Sequence, residues 1–198
     1  MGVHPGSKRN LHRTFLLNSV SITHILELRG PNVQTIKGLI AEAPDPELKD
    51  KLMLFGQFVG DWEIDCESLQ SDGTWVKSKG EVHFGWILNG VAVQDVWITR
   101  TEEPQKFLIA GTTLRFYDRK LDAWQSVWIS PMKGIVRTFV ARKMGDEIVL
   151  EGATKEGYPE RWIFSEITPG SFHWRAVESK DHQKTWKLTE KMSIRRAK

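Results

Sequence analysis

Short turn sequences recur at nearly regular intervals after residue 60, and this spacing limits the possible folds more than any other feature of the chain. Each contains Gly, Pro, Asn or Asp, and most lie about 12 to 17 residues apart. They are Ser71-Asp72-Gly73, Asn89-Gly90, 102–105, 118–122, 131–134, Gly145-Asp146, Glu156-Gly157, Pro169-Gly170 and 181–183. Such intervals hold one strand each and leave no room for helices between strands. The sequence therefore predicts an all-β domain of about ten consecutive antiparallel strands.

Apolar and polar residues alternate in the first and last predicted strands, which indicates the face of each that points inward. The predicted inward residues are Trp62, Ile64 and Cys66 in the first strand and Trp186, Leu188, Met192 and Ile194 in the last. The outward face of the first strand is acidic and that of the last is basic. We expect the two strands to pair, with Glu67 beside Lys187 and Glu63 beside Lys191, because opposite charges stabilise neighbouring strands. This pairing closes the meander into a barrel without open edges.

One short amphipathic helix is predicted before the first strand, over residues 46–58. Asp45 is a suitable N-cap, Pro46 suits the first helical position, and apolar residues such as Leu52 and Phe55 follow at helical spacing. Gly60 ends the pattern.

The basic charge of the chain is concentrated before this helix. Residues 1–40 hold five basic residues and one acidic residue, whereas the other 158 hold 23 basic and 24 acidic residues. We therefore expect residues 1–40 to be a basic, disordered extension and residues 41–198 to be a single, nearly neutral barrel domain. A targeting peptide and an upstream start codon are the alternatives for residues 1–36. A neutral body argues against nucleic-acid binding.

The two ends of the meander resemble those of the calycin barrels, the lipocalins and fatty-acid-binding-like proteins. Gly60-Asp61-Trp62 matches the Gly-x-Trp that opens the first strand of a lipocalin, and an arginine follows in the last strand. The resemblance implies that Trp62 lies across the closed end of the barrel. It also implies that an arginine packs on Trp62, with Arg196 favoured over Arg195 because Arg196 shares the inward face with Ile194.

Further segments resemble an uncharacterised, mostly bacterial calycin-like domain, and the likeness covers about residues 45–196. These segments are His83-Phe84-Gly85-Trp86, Val93-Gln94-Asp95-Val96-Trp97, Gly111-Thr112-Thr113-Leu114-Arg115 and Lys184-Thr185-Trp186. The resemblance implies a barrel of the ten-stranded kind. It implies no single activity, because calycin barrels include carriers, haem proteins and a few enzymes.

Nine tryptophans are distributed through the chain, and they indicate what the barrel holds. A ten-stranded barrel is wide enough to enclose a cavity, and indole rings offer flat apolar area to a ligand. Charged residues on apolar faces would orient that ligand. The candidate ligand-binding residues are Trp86, Asp95, Trp97, Arg115, Trp128, Arg137, Trp174 and Glu190.

Metal and thiol chemistry find little support in the sequence. His83 and His173 lie on separate elements without a ligand-spaced partner, and no metal site is predicted. One haem-binding branch of these barrels uses a single axial histidine, so a haem protein with His83 or His173 as ligand is an alternative. Cys66 shares its face with apolar residues and is expected to be a small unreactive filler.

The leading hypothesis is binding of a small apolar or amphipathic molecule in a tryptophan-lined barrel cavity. The alternatives are a cyclase, isomerase or hydratase that uses a cavity carboxylate and arginine, the haem protein described above, and a module whose exposed tryptophans pack against a partner. No cofactor and no membrane span are predicted, since no apolar stretch approaches the ~20 residues that a spanning helix needs. We expect a cytoplasmic monomer or homodimer.

Overall fold

The computed structural model describes residues 36, 38–100 and 107–198. These residues form a two-residue strand, one α-helix and ten long strands. They are β1 (Ile40–Ala41), α1 (Lys49–Gly56), β2 (Gly60–Leu69), β3 (Trp75–Ile87), β4 (Ala92–Arg100), β5 (Phe107–Asp118), β6 (Ala123–Ser130), β7 (Ile135–Met144), β8 (Glu147–Ala153), β9 (Pro159–Ser165), β10 (Ser171–Glu178) and β11 (Lys187–Arg196). The predicted extension of residues 1–40 lies almost wholly outside the described residues, as does the predicted turn at 102–105.

The ten long strands form a closed antiparallel barrel in which sequence neighbours pair from β2 to β11. Pairing of β11 with β2 closes the barrel, and β1 adds two residues beside the end of β3. The all-β fold with one short preceding helix is therefore confirmed.

The helical segment is shorter than the predicted 46–58 and starts in a tighter conformation. A 3-10 turn spans Pro46–Leu48, capped by the Asp45 side chain, which accepts a hydrogen bond from the Glu47 N–H at 2.8 Å. Helix α1 then runs to Gly56, where the indole of Trp86 occupies the space that a Cβ would need. After its C-terminal end the backbone hydrogen bonds change to the i to i−3 type, and the chain then enters β2.

Aromatic side chains from α1 and the strand ends around it close one end of the barrel, which we call the floor. Phe58 lies 4.6 Å from Phe172 and Trp62 lies 4.9 Å from Phe172, measured between ring centroids. The Trp62 indole N–H donates to the Phe58 carbonyl at 2.6 Å, so this buried polar group is satisfied. The floor joins the helix to the barrel through one continuous apolar core.

The pairing of β2 with β11 has a different register from the predicted one. Glu67 lies opposite Lys191 rather than Lys187, and Glu63 lies opposite Arg195 rather than Lys191. A shift by four residues leaves every side chain on its original face, so alternation alone does not distinguish the two registers. The observed register also brings Arg196 opposite Trp62, a contact between the two strands that the charges alone do not specify.

A β-bulge in β11 reverses the predicted orientation of the residues before it. Glu190 lies opposite Ala176 and Leu188 lies opposite Val177, so Thr189 is the extra residue. The prediction that Leu188 and Trp186 point inward is wrong, because the bulge changes the phase of alternation. Trp186 instead packs under the partly exposed guanidinium of Arg161, 4.3 Å from its ring centroid.

Candidate functional site

A cavity of about 710 Å³ fills the barrel above the floor. Its lining includes the exposed residues Gln70, Lys133 and Glu156, which belong to connections at the end opposite α1. The cavity therefore opens to solvent at that end, which we call the mouth.

Seven of the eight predicted ligand-binding residues lie in the cavity wall. They are Asp95, Trp97, Arg115, Trp128, Arg137, Trp174 and Glu190. Trp86 is not in this wall, and its assignment there was wrong. Its position near the end of β3 carries the ring against Gly56 of α1, where a Cβ would lie 2.3 Å from the indole, so Trp86 belongs to the packing around the helix.

Four indole rings form an arc around the cavity, and we call them the tryptophan wall. The ring centroids are 5.9 Å apart between Trp97 and Trp128, 6.1 Å between Trp128 and Trp162, and 5.4 Å between Trp162 and Trp174. Trp162 was missed as a site residue in the sequence. Its alternation with Phe164 in β9 was the available signal, since both residues line the cavity.

A glycine in β5 makes room for the centre of the tryptophan wall. A Cβ at Gly111 would lie 2.5 Å from the ring of Trp128, which therefore lies directly against the β5 backbone. Because any larger residue here would displace the ring, Gly111 fixes the depth to which Trp128 reaches into the cavity.

Asp95 and Arg115 form a buried ion pair near the floor. The Arg115 Nη1 donates to Asp95 Oδ2, and the Thr113 backbone N–H donates to Asp95 Oδ1 at 3.2 Å. Only 3% and 5% of the two side chains, Arg115 and Asp95 respectively, are exposed. A buried charge of this kind is costly unless it is paired, which explains why the two residues face each other on neighbouring strands.

The guanidinium of Arg115 is also packed among aromatic rings. It lies 5.1 Å from the centroid of Phe55 and 5.7 Å from that of Phe84, which is within the range of a cation–π contact. Its Nε is buried and has no hydrogen-bond partner among the described residues. Arg115 therefore joins the polar cavity wall to the aromatic floor.

A second ion pair lies farther toward the mouth. Arg137 Nη1 donates to Glu160 Oε2, and the Trp162 indole N–H donates to Glu160 Oε1 at 3.0 Å. Glu160 was also missed, because it directly follows a proline at the start of β9 and its strand phase was not evident. The Glu160 carboxylate fixes one ring of the tryptophan wall and neutralises Arg137 at the same time.

A small polar cluster of Glu190, Cys66 and Ser68 lies in the cavity wall where β11 pairs with β2. Glu190 Oε1 accepts hydrogen bonds from the Cys66 thiol at 3.3 Å and from the Ser68 hydroxyl at 3.0 Å. Burial, reinforced by the charge of Glu190, raises the pKa of Cys66 to about 12. Cys66 is therefore a protonated hydrogen-bond donor at neutral pH and not a nucleophile.

Both candidate axial histidines lie outside the cavity wall. His83 Nδ1 is 2.6 Å from Asp61 Oδ1, and His173 Nδ1 is 3.5 Å from Glu166 Oε1, with both rings about half exposed. Neither ring is placed to coordinate a haem inside the barrel, which corrects the alternative that assigned them that role. Across the described part of the chain, no three His, Cys, Asp or Glu side chains are grouped as metal ligands. None of the described helices has the length and apolar character to cross a bilayer.

Comparisons with known proteins identify the fold. No protein-family model matches the chain, and no curated protein is significantly similar to it. The chain is similar to the S-type phycobiliprotein lyase CPES from Guillardia theta, with a TM-score of 0.52 and 13% identity over 78% of this chain and 99% of that one. It is also similar to Rv2717c from M. tuberculosis, with a TM-score of 0.54 and 14% identity over 78% of this chain and 99% of that one. These neighbours are calycin-like barrels, and the chain has the same calycin-like fold.

Proposed function

We propose that the protein binds a small apolar or amphipathic molecule with a flat ring system inside the barrel. The observation that carries this proposal is the tryptophan wall around a cavity of about 710 Å³. That volume lies within the range of roughly 300–1,000 Å³ typical of small-molecule sites. Trp97, Trp128 and Trp162 are only partly buried, so their rings retain area for stacking against a ligand.

The two ion pairs favour binding over acid–base catalysis. Asp95 and Glu160 are each paired with an arginine, whose guanidinium does not lose its proton in proteins. The Cys66 thiol, with its pKa raised to about 12, does not act as a base or nucleophile near neutral pH either. These groups are better suited to hold fixed dipoles and charges around a ligand than to exchange protons with one.

Calorimetric titration with acridine, a neutral ring system of three fused rings, tests the proposal. We expect saturable binding of one molecule per barrel. Trp128→Ala should weaken binding by about 1 kcal/mol, which is roughly fivefold, because the central ring of the wall is removed. Trp75→Ala is the matched control, since Trp75 is 40% exposed and does not line the cavity. Absence of saturable binding, or equal weakening by both substitutions, would overturn the proposal.

A further inference from the structure

Glu190 is the partly buried cavity carboxylate that lacks a cationic partner among the described residues. Asp95 is paired with Arg115 and Glu160 with Arg137, whereas the contacts of Glu190 are a thiol and a hydroxyl. Both donors bind the same oxygen, Oε1, and none of the described residues donates to Oε2. Within the described part of the chain, the second carboxylate oxygen of this cavity residue therefore has no hydrogen-bond donor.

The strand pairing places this carboxylate beside the tryptophan wall. Glu190 lies opposite Ala176 in β10, and Ala176 lies opposite Trp162 in β9. Paired residues of antiparallel strands point to the same face, and all three line the cavity. The residue between them in this row is Ala176, whose side chain is a single methyl group.

The bulge at Thr189 helps to hold Glu190 in this position. The Thr189 hydroxyl donates to the Ala176 carbonyl at 3.2 Å, which fixes the irregular step between β10 and β11. Both Thr189 and Glu190 line the cavity as a result. Bulges commonly redirect side chains at binding sites in this way.

The described residues of the wall carry an acidic excess. Its charged residues are the acids Asp95, Glu156, Glu160, Glu178 and Glu190 and the bases Arg115, Lys133 and Arg137. Glu178 lies toward the mouth and has Lys180 as a neighbour at 3.5 Å. Glu156 is exposed at the mouth. Within the barrel, Glu190 is therefore the carboxylate for which the described residues supply no cation.

We propose that the ligand is a planar cation with N–H donors, such as a protonated nitrogen heterocycle, whose rings lie on the tryptophan wall and whose nitrogen donates to Glu190. This inference rests on the proposed binding function and names its ligand class. Indole faces attract cations, so the wall and the carboxylate favour the same kind of molecule. A charge-assisted hydrogen bond in a partly desolvated cavity is stronger than a neutral one.

The test compares acridine with 9-aminoacridine, which has the same rings but is a cation with N–H donors at neutral pH. We expect 9-aminoacridine to bind about tenfold more tightly. Glu190→Gln should reduce this preference to about twofold, because glutamine keeps an acceptor for Cys66 and Ser68 but carries no charge. Glu156→Gln removes the same charge from an exposed position at the mouth and should keep most of the preference.

The outcomes separate this inference from the binding function. Binding of both dyes with equal affinity, or a preference that survives Glu190→Gln, would overturn the cationic ligand and leave the binding function standing. If neither dye binds, the binding function itself fails. Circular dichroism of each variant shows whether the barrel is intact, and the preference is taken as the ratio of the two dye affinities measured on the same variant.

Discussion

The guanidinium carbon of Arg196 lies 4.1 Å from the centroid of the Trp62 ring and joins the last strand of the barrel to the first. The same group donates hydrogen bonds to the carbonyls of Pro169 at 3.0 Å and Val59 at 3.1 Å. One side chain thus binds the start of β2, the turn before β10 and the indole of the floor.

Replacing Arg196 should therefore destabilise the barrel more than replacing its neighbour. We expect Arg196→Ala to lower the free energy of unfolding in urea by about 1–2 kcal/mol, from the lost cation–π contact and hydrogen bonds. Arg195→Ala removes an exposed ion pair with Asp65 and should cost about 0.5 kcal/mol or less. Equal effects of the two substitutions would contradict the idea that the contacts of Arg196 stabilise the closed barrel.

Gly60 is required where β2 begins beneath this arginine. Its φ is +125°, a conformation that residues with a side chain rarely adopt, and a Cβ there would lie 2.5 Å from Arg196 Nη1. Gly60→Ala should lower the free energy of unfolding by about 1–3 kcal/mol. Gly85→Ala, at a glycine with open space around its Cβ position, is the control and should be nearly neutral. An unchanged urea midpoint for Gly60→Ala would show that the start of β2 can accommodate a side chain at this position.

The Asp95–Arg115 pair should be sensitive to the loss of one partner. Arg115→Met leaves the Asp95 carboxylate buried without its cation, and we expect a loss of about 3–5 kcal/mol in the free energy of unfolding. Adding Asp95→Asn should recover part of that loss, because the unpaired charge is removed. Lys51→Met breaks an exposed pair with Asp122 and should cost less than about 1 kcal/mol. If the double variant is no more stable than Arg115→Met, the unpaired charge of Asp95 is not the cause of the lost stability.

The Cys66 thiol should make stability depend on pH in the alkaline range. The thiol of an unfolded chain has a pKa of about 8.5, whereas burial raises the pKa of Cys66 to about 12 in the folded chain. The unfolded state then loses its proton first, so this contribution is fully present below the unfolded pKa and is lost as pH rises toward the folded one. We would measure the free energy of unfolding in urea at several alkaline pH values for Cys66→Ala and for the unchanged chain. The difference between the two proteins at each pH isolates the contribution of the thiol. If the free energy of unfolding falls equally in both proteins as the pH rises, the Cys66 thiol does not contribute to the pH dependence.

The sequence predicted the strands and most of the cavity because these depend on local patterns. Turn residues mark strand ends, and period-two alternation places residues such as Asp95 and Trp97 on one face. The closing pair of strands was also correct in identity, because one outward face is acidic and the other is basic.

The errors arose where geometry depends on residues far apart in the chain. The resemblance to lipocalins predicted correctly that Arg196 packs on Trp62, which agrees with the observed register, whereas the charge pattern alone gave a register shifted by four residues. The bulge at Thr189 inverts alternation within a single strand and changes the positions of Trp186 and Leu188. Trp86 alternates correctly, yet it lies beyond the cavity because α1 occupies that end of the barrel.

The pairing of β2 with β11 also has a consequence for the order in which the site is assembled. It joins residues far apart in sequence, such as Cys66 and Glu190, which are separated by 124 positions. Contacts of such long range carry a large loop-closure entropy, so we expect them to form late in folding. A folding intermediate with β4 to β10 in place would already have the tryptophan wall, but Glu190 would not yet face Cys66 and Ser68. Selectivity for charge would then be acquired after affinity for flat rings, in the step that completes the barrel.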